Sequence, residues 1–160
     1  MNDIKNISIE GQLILKPLLC YEPICVNCAV YENNCLNDLH QMRVQKDIIF
    51  IFNGYKITIL KGFLFDGASI PQMFWSTTGS PFDFRFLIAA LIHDALYASE
   101  LLLRKEADQI FRLLLKFYKV NIYTRNKMYL AVRIGGGSVW KNHTPQSIAE
   151  ARQFIKIEKI

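Results

Sequence analysis

The sequence predicts an α+β domain, a small antiparallel β-sheet in the N-terminal half followed by a bundle of three to four helices. Three observations predict it. Strand-like alternation is confined to residues 7–60, helical periodicity begins only after Pro81, and no internal repeat divides the chain. At 160 residues, with 51% hydrophobic and 21% charged positions, residues 1–160 read as one domain able to bury a core without disulfide staples.

Residues 7–19 mix β-branched side chains with alternation and stop at Pro17, the pattern of a short strand. Residues 42–60 read as a hairpin. Ile48 to Phe52 are strand-like, Asn53-Gly54 is a two-residue turn whose residues both tolerate positive φ, and Tyr55 to Leu60 alternate again. Between these lies residues 20–35, a Cys-containing loop or insertion punctuated by Pro23, Asn27, Asn33 and Asn34. Residues 62–81 are rich in Gly, Ser, Thr and Pro and form an extended loop, a length that in compact domains usually serves function.

Helices are expected from Asp83 to about Glu100, Lys105 to about Tyr118, and Thr124 to about Ile134, the third ended by Gly135-Gly136-Gly137. A last helix, opened by the cap-like Thr144-Pro145, is expected to run to Ile155.

The chain-wide balance narrows the partners. A formal net charge of +5 favours anionic partners such as phospholipid surfaces, nucleic acid or wall polymers, but the basic residues form no dense run or stripe with interleaved aromatics, which disfavours nucleic acid. The longest apolar runs fall far short of the roughly 20 residues that span a bilayer, so no transmembrane segment is expected. The start, Met1 to Asn6, lacks the features of a secretory signal, and synthesis and folding in the cytoplasm are expected.

The first helix carries the chemistry. Phe84 to Tyr97 is apolar almost all the way round, the signature of a helix buried on most faces, so its polar residues need a reason. An ionised Asp94 in such a place requires a cation, a metal or several donors. His93 and Tyr97 are four apart and Asp94 and Tyr97 three apart, so the three side chains can border one site. Asp108, in the first turn of the next helix, could accept a hydrogen bond from His93 or Tyr97, fixing the imidazole tautomer and raising its basicity. Geometry sets a condition, because an antiparallel helix pair turning after Leu103 places Asp108 opposite Tyr97 or beyond. Contact with His93 requires the first helix to end early.

Two readings of this cluster stand side by side. In one, His93, Asp108 and Tyr97 are catalytic and Asp94, with Asp66, holds a divalent metal; in the other, the residues are a buried polar network that locks two helices, with Arg125 or Arg133 as the cation. Asp66 either caps its own Asp-Gly turn or reaches the cluster.

Phe65-Asp66-Gly67-Ala68-Ser69-Ile70-Pro71, Phe74-Trp75, Gly79 with Pro81, His93-Asp94-Ala95-Leu96-Tyr97, Ala107-Asp108 with Phe111, and Met128 to Arg133 follow one another in order. Over residues 42–137 this series resembles the bacteriophage and prophage family of unknown function DUF1353. The resemblance implies a phage or prophage product, made in the host cytoplasm and open to incorporation in the virion, with virion or tail proteins or an anionic envelope surface as partners; it supplies no reaction. His93-Asp94-Ala95-Leu96-Tyr97 and Ala107-Asp108-Gln109-Ile110-Phe111 are also similar to the His-Asp-x-x-Tyr helix and later Asp helix of phospholipase A2 enzymes. That likeness implies that His93 activates water, Asp94 binds calcium, and Asp108 with Tyr97 supports the imidazole, with carbonyls such as those of Thr78-Gly79-Ser80 adding hard oxygen ligands.

The only cysteines, Cys20, Cys25, Cys28 and Cys35, all fall in the irregular loop. Four thiolates suffice for a closed structural zinc site, in which His40 could replace one ligand; disulfides and unlinked thiols are the other readings. His143 is expected as a solvated surface residue, and Trp75 and Trp140 as core or interaction surface. The functional expectation is a metal-assisted hydrolase acting on a lipid or cell-envelope ester, with a non-catalytic virion or tail protein, or a small module binding a host protein, as the alternatives.

Overall fold

A computed structural model describes residues 7–10, 15–17, 42–52, 54–65 and 84–160. The architecture is α+β, as expected, with antiparallel strands in the N-terminal half and four helices after them. Strands β1 (Ile7–Glu10), β4 (Ile48–Phe52), β5 (Tyr55–Ile59) and β7 (Ile155–Lys159) form one sheet in the order β1-β4-β5-β7, and β2 (Leu15–Pro17), β3 (Met42–Val44) and β6 (Leu64–Phe65) form a second in the order β2-β3-β6.

The hairpin forms where the turn residues place it. Phe52 pairs with Tyr55, and Gly54 closes the turn at φ +79°, a conformation that costs glycine little. Phe50, Ile57 and Ile59 point to one side and are buried, which fixes the register, since a slip by one residue would turn all three to solvent.

Helix α1 (Phe84–Ser99) is the centre of the domain, packing against α2 (Arg104–Phe117), α4 (Pro145–Arg152), β6 and β7. Phe86, Ala89, Leu91, Ile92, Ala95 and Leu96 are all buried, as its all-round apolar sequence requires. It ends early. Glu100 turns left-handed at φ 47°, and Arg152 supplies donors to the last carbonyls, with Nε 2.8 Å from Ser99 O. Glu106 Oε2 then accepts from the Leu103 N–H at 2.9 Å and opens α2 at once.

The C-terminal half differs from expectation in two places. The last helix stops at Arg152, and Ile155–Lys159 is a strand, with Ile155 and Ile157 opposite Ile59 and Ile57. Its start is as expected, Thr144 Oγ1 accepting from Ser147 N at 3.1 Å. The third helix, α3 (Ile122–Lys141), is capped by Asn121 rather than begun at Thr124, and it runs straight through Gly135-Gly136-Gly137. These glycines do not end the helix; two of them let other side chains approach it. A Cβ on Gly136 would lie 2.4 Å from the Tyr97 hydroxyl and one on Gly137 would lie 3.3 Å from Arg104 Nη1, whereas a Cβ on Gly135 meets nothing within 4 Å.

A matched pair of substitutions separates the two roles. Gly135→Ala is expected to stabilise by about 0.5–1 kcal/mol through helix propensity alone. Gly136→Ala gains the same propensity but drives into a tethered hydroxyl, and a net loss of about 1–3 kcal/mol is expected in chemical denaturation. Equal effects at the two positions would remove the close-approach account.

Candidate functional site

The early end of α1 satisfies the condition that the spacing imposed. Asp108, one turn into α2, reaches both His93 and Tyr97: its Oδ1 lies 2.9 Å from His93 Nε2 and accepts from the Tyr97 hydroxyl at 2.9 Å. Its Oδ2 accepts from Arg133 Nη1 at 2.6 Å. Asp108 is 0% exposed and His93 6%, so this is a desolvated cluster at the junction of three helices.

The donors fix the protons. Arginine can only donate, so Arg104 Nε, 2.9 Å from the Tyr97 oxygen, makes that oxygen an acceptor and turns the phenolic hydrogen toward Asp108. Burial acts to raise the Asp108 pKa, but hydrogen bonds from His93, Arg133 and Tyr97 together outweigh it and hold the carboxyl below its usual range. An ionised Asp108 accepts, so His93 carries a proton on Nε2, and in the neutral imidazole the lone pair is on Nδ1.

That nitrogen faces Asp94, whose Oδ1 stands 3.7 Å away, beyond a hydrogen bond but within reach of its charge. Burial is the largest influence on His93 and lowers its pKa; the bond to Asp108 and the neighbouring Asp94 outweigh it, and the net is a rise above 6.5. Tyr97 is pushed up to about 12, chiefly by burial, and is a neutral donor at any physiological pH.

Aromatic rings wall the cluster. The His93 ring centroid lies 4.3 Å from that of Tyr97 and 5.0 Å from that of Phe111, and Trp140 meets Tyr97 edge-on at 5.0 Å. The Asp94 side chain is 28% exposed although its Oδ2 is buried, and the Arg133 side chain, 34% exposed, also reaches solvent.

The residues expected in one site are thus partly united. His93, Asp94, Tyr97 and Asp108 come together; Asp66, Trp75, His40 and all four cysteines lie outside the described residues. Of the two cations weighed, Arg133 is the partner of Asp108. Arg104 was not singled out, though it stands four residues before Asp108 on the same helix, a spacing that brings opposite charges together. Besides Tyr97 it binds α3 directly, its Nη2 donating to the carbonyls of Val132 and Arg133 across the space that the glycines leave.

His143 is not the solvated residue expected. Its Nδ1 is 2.8 Å from Glu100 Oε1, and its ring lies 5.9 Å from Trp140, so it joins the end of α3 to the end of α1. Glu100 and His143 are far apart in the chain, and no local pattern announces their pairing.

The calcium that the phospholipase likeness implies finds little here. No group of three or more His, Cys, Asp or Glu side chains able to hold a metal occurs among the described residues, and Asp108 is already taken by His93, Tyr97 and Arg133. Asp94 supplies one carboxylate to such a site, short of the six to eight oxygens calcium takes.

The His-Asp helix and the Asp helix fall within residues 42–132, which match the family model described as "Protein of unknown function (DUF1353)". The chain belongs to the DUF1353 family. A relative in Sinorhizobium fredii (strain NBRC 101917 / NGR234), named as an uncharacterized protein y4jT, is 36% identical over 89 residues, covering 56% of this chain and 21% of the relative. The matched segment is therefore about a fifth of that relative's length. No solved structure matches the chain. The DUF1353 segment holds His93, Asp94, Tyr97, Arg104 and Asp108, while Arg133 and Gly136, which complete the cluster, follow it directly.

Proposed function

We propose that this DUF1353 chain is an ester hydrolase in which His93, held and polarised by Asp108, is the general base. The observation that carries the reading is the 2.9 Å contact between His93 Nε2 and a fully buried, ionised Asp108, which directs the imidazole lone pair to Nδ1, the nitrogen that faces the partly exposed Asp94.

In this reading Nδ1 takes a proton from water as the water oxygen bonds to the ester carbonyl carbon. The imidazolium, stabilised by Asp108 and Asp94, returns that proton to the leaving alkoxide as the carbon–oxygen bond breaks. Tyr97 and Arg104 do no proton transfer; they hold Asp108 and the imidazole plane. Asp94 is a candidate ligand for a divalent ion completed by groups such as Asp66, and no step of the sequence above runs through that ion. The net positive charge and the likeness to phospholipase A2 favour a lipid or other cell-envelope ester as substrate class. The test is release of acid from phospholipid and simple aryl esters by the full chain, with and without added calcium; no release from any ester defeats the reading.

A second reading is non-catalytic, a virion or tail component or a module binding a host protein, in which the cluster locks α1, α2 and α3 together. The burial of His93 favours it. A phage or prophage origin and synthesis in a host cytoplasm belong to both readings. The proposal also includes a structural zinc ion held by Cys20, Cys25, Cys28 and Cys35. Elemental analysis of protein purified under reducing conditions is expected to find about one zinc per chain. Four freely titrating thiols without zinc would contradict it.

A further inference from the structure

The outer side of α3 is unusually apolar. Ile122, Tyr123, Leu130, Ile134 and Val139 are five of the eleven exposed large hydrophobic side chains among the described residues, and all five are on this helix. Tyr123 is 80% exposed and Ile134 75%. At about 100° per residue, Tyr123, Leu130 and Ile134 fall on one stripe along the helix, with Ile122 and Val139 off it. Away from the stripe, Thr124 and Met128 are buried and Gly136 faces Tyr97, while Gly137, beside the stripe, faces Arg104.

Charge follows the same stripe. The helix carries Arg125, Lys127, Arg133 and Lys141 and no Asp or Glu. Arg133 is engaged by Asp108, whereas Lys127 and Lys141 are exposed and share the line of Tyr123, Leu130 and Ile134.

We propose that this stripe docks the protein on an anionic phospholipid bilayer, with Tyr123, Leu130 and Ile134 entering the headgroup–acyl boundary and Lys127 and Lys141 meeting lipid phosphates. Charge complementarity selects this occupant. A second copy of the chain would set two cationic, acid-free helices against each other, and the phosphates of a nucleic acid would face Leu130 and Ile134, which offer them no donor. The helix lies on the bilayer rather than crossing it, since no described helix is long and apolar enough to span a membrane. The docking requires no hydrolysis and stands or falls apart from the function proposed above.

The test is flotation of the full chain with vesicles of phosphatidylcholine alone and of phosphatidylcholine with phosphatidylglycerol. Binding is expected only with phosphatidylglycerol, weakening as salt is raised. The double variants Leu130→Ser with Ile134→Ser, and Lys127→Gln with Lys141→Gln, are each expected to lower the bound fraction about tenfold, with unchanged circular dichroism because all four side chains are exposed. Equal binding to both vesicles, binding to neither, or a serine variant that binds as well as the wild type would overturn the proposal. So would capture by polyglutamate beads together with no vesicle binding, which would point to an acidic protein.

Discussion

Asp108→Ala is expected to lower the melting temperature by roughly 5–20 °C. The side chain is fully buried and satisfies His93, Tyr97 and Arg133 at once, with the Arg104 guanidinium 3.8 Å away. Removing it leaves two guanidinium groups, a phenol and an imidazole without their shared acceptor. The buried Tyr97 hydroxyl and His93 imidazole each lose an acceptor, at about 1–3 kcal/mol apiece, whereas the Arg133 side chain, 34% exposed, can turn to water. At this chain length each kcal/mol moves the melting point by roughly 2–4 °C. Asp108→Asn keeps the volume and one acceptor but not the charge and is expected to fall between. A scanning-calorimetry trace that Asp108→Ala leaves unmoved would mean that the cluster does not join the helices.

His93→Gln is expected to separate chemistry from stability. The glutamine amide has a donor that can reach Asp108 Oδ1, so the buried carboxylate keeps a partner and the loss is about 1 kcal/mol. It has no basic nitrogen, and hydrolysis is expected to fall about 10²–10⁴-fold. A large fall in melting temperature with ester release unchanged would assign His93 to the helix lock. The two ionisations also predict opposite stability limits. The raised pKa of His93 adds stability that is complete below 6.5 and is lost as pH rises through its higher folded value. The lowered pKa of Asp108 adds stability that is present above 3.8 and is lost as pH falls through its lower folded value.

What the sequence revealed was local. The turn at Gly54, the alternation on either side, and the spacing of His93, Asp94 and Tyr97 on one helix depend on neighbours within a few residues, and each is found where expected. The contact from His93 to Asp108 was legible as a condition on helix length, which the left-handed turn at Glu100 meets. What was misread depends on distant partners. Gly135-Gly136-Gly137 looks like a helix stop until Tyr97 and Arg104 are seen to use the space. The alternation of Ile155 and Ile157 lies against β5, from which all four helices separate it. The pairing of His143 with Glu100, and the hold of Arg104 on the carbonyls of α3, follow from the same long-range packing.

The central claim, that His93 is a base poised by Asp108, is tested most directly by following the His93 ring resonances with pH by NMR alongside the pH dependence of ester hydrolysis. The account predicts one midpoint for both, above 6.5, with the rate rising as His93 loses its proton and levelling off beyond. A rate indifferent to the His93 titration, or a wild-type protein that titrates at His93 and hydrolyses no ester, would contradict it.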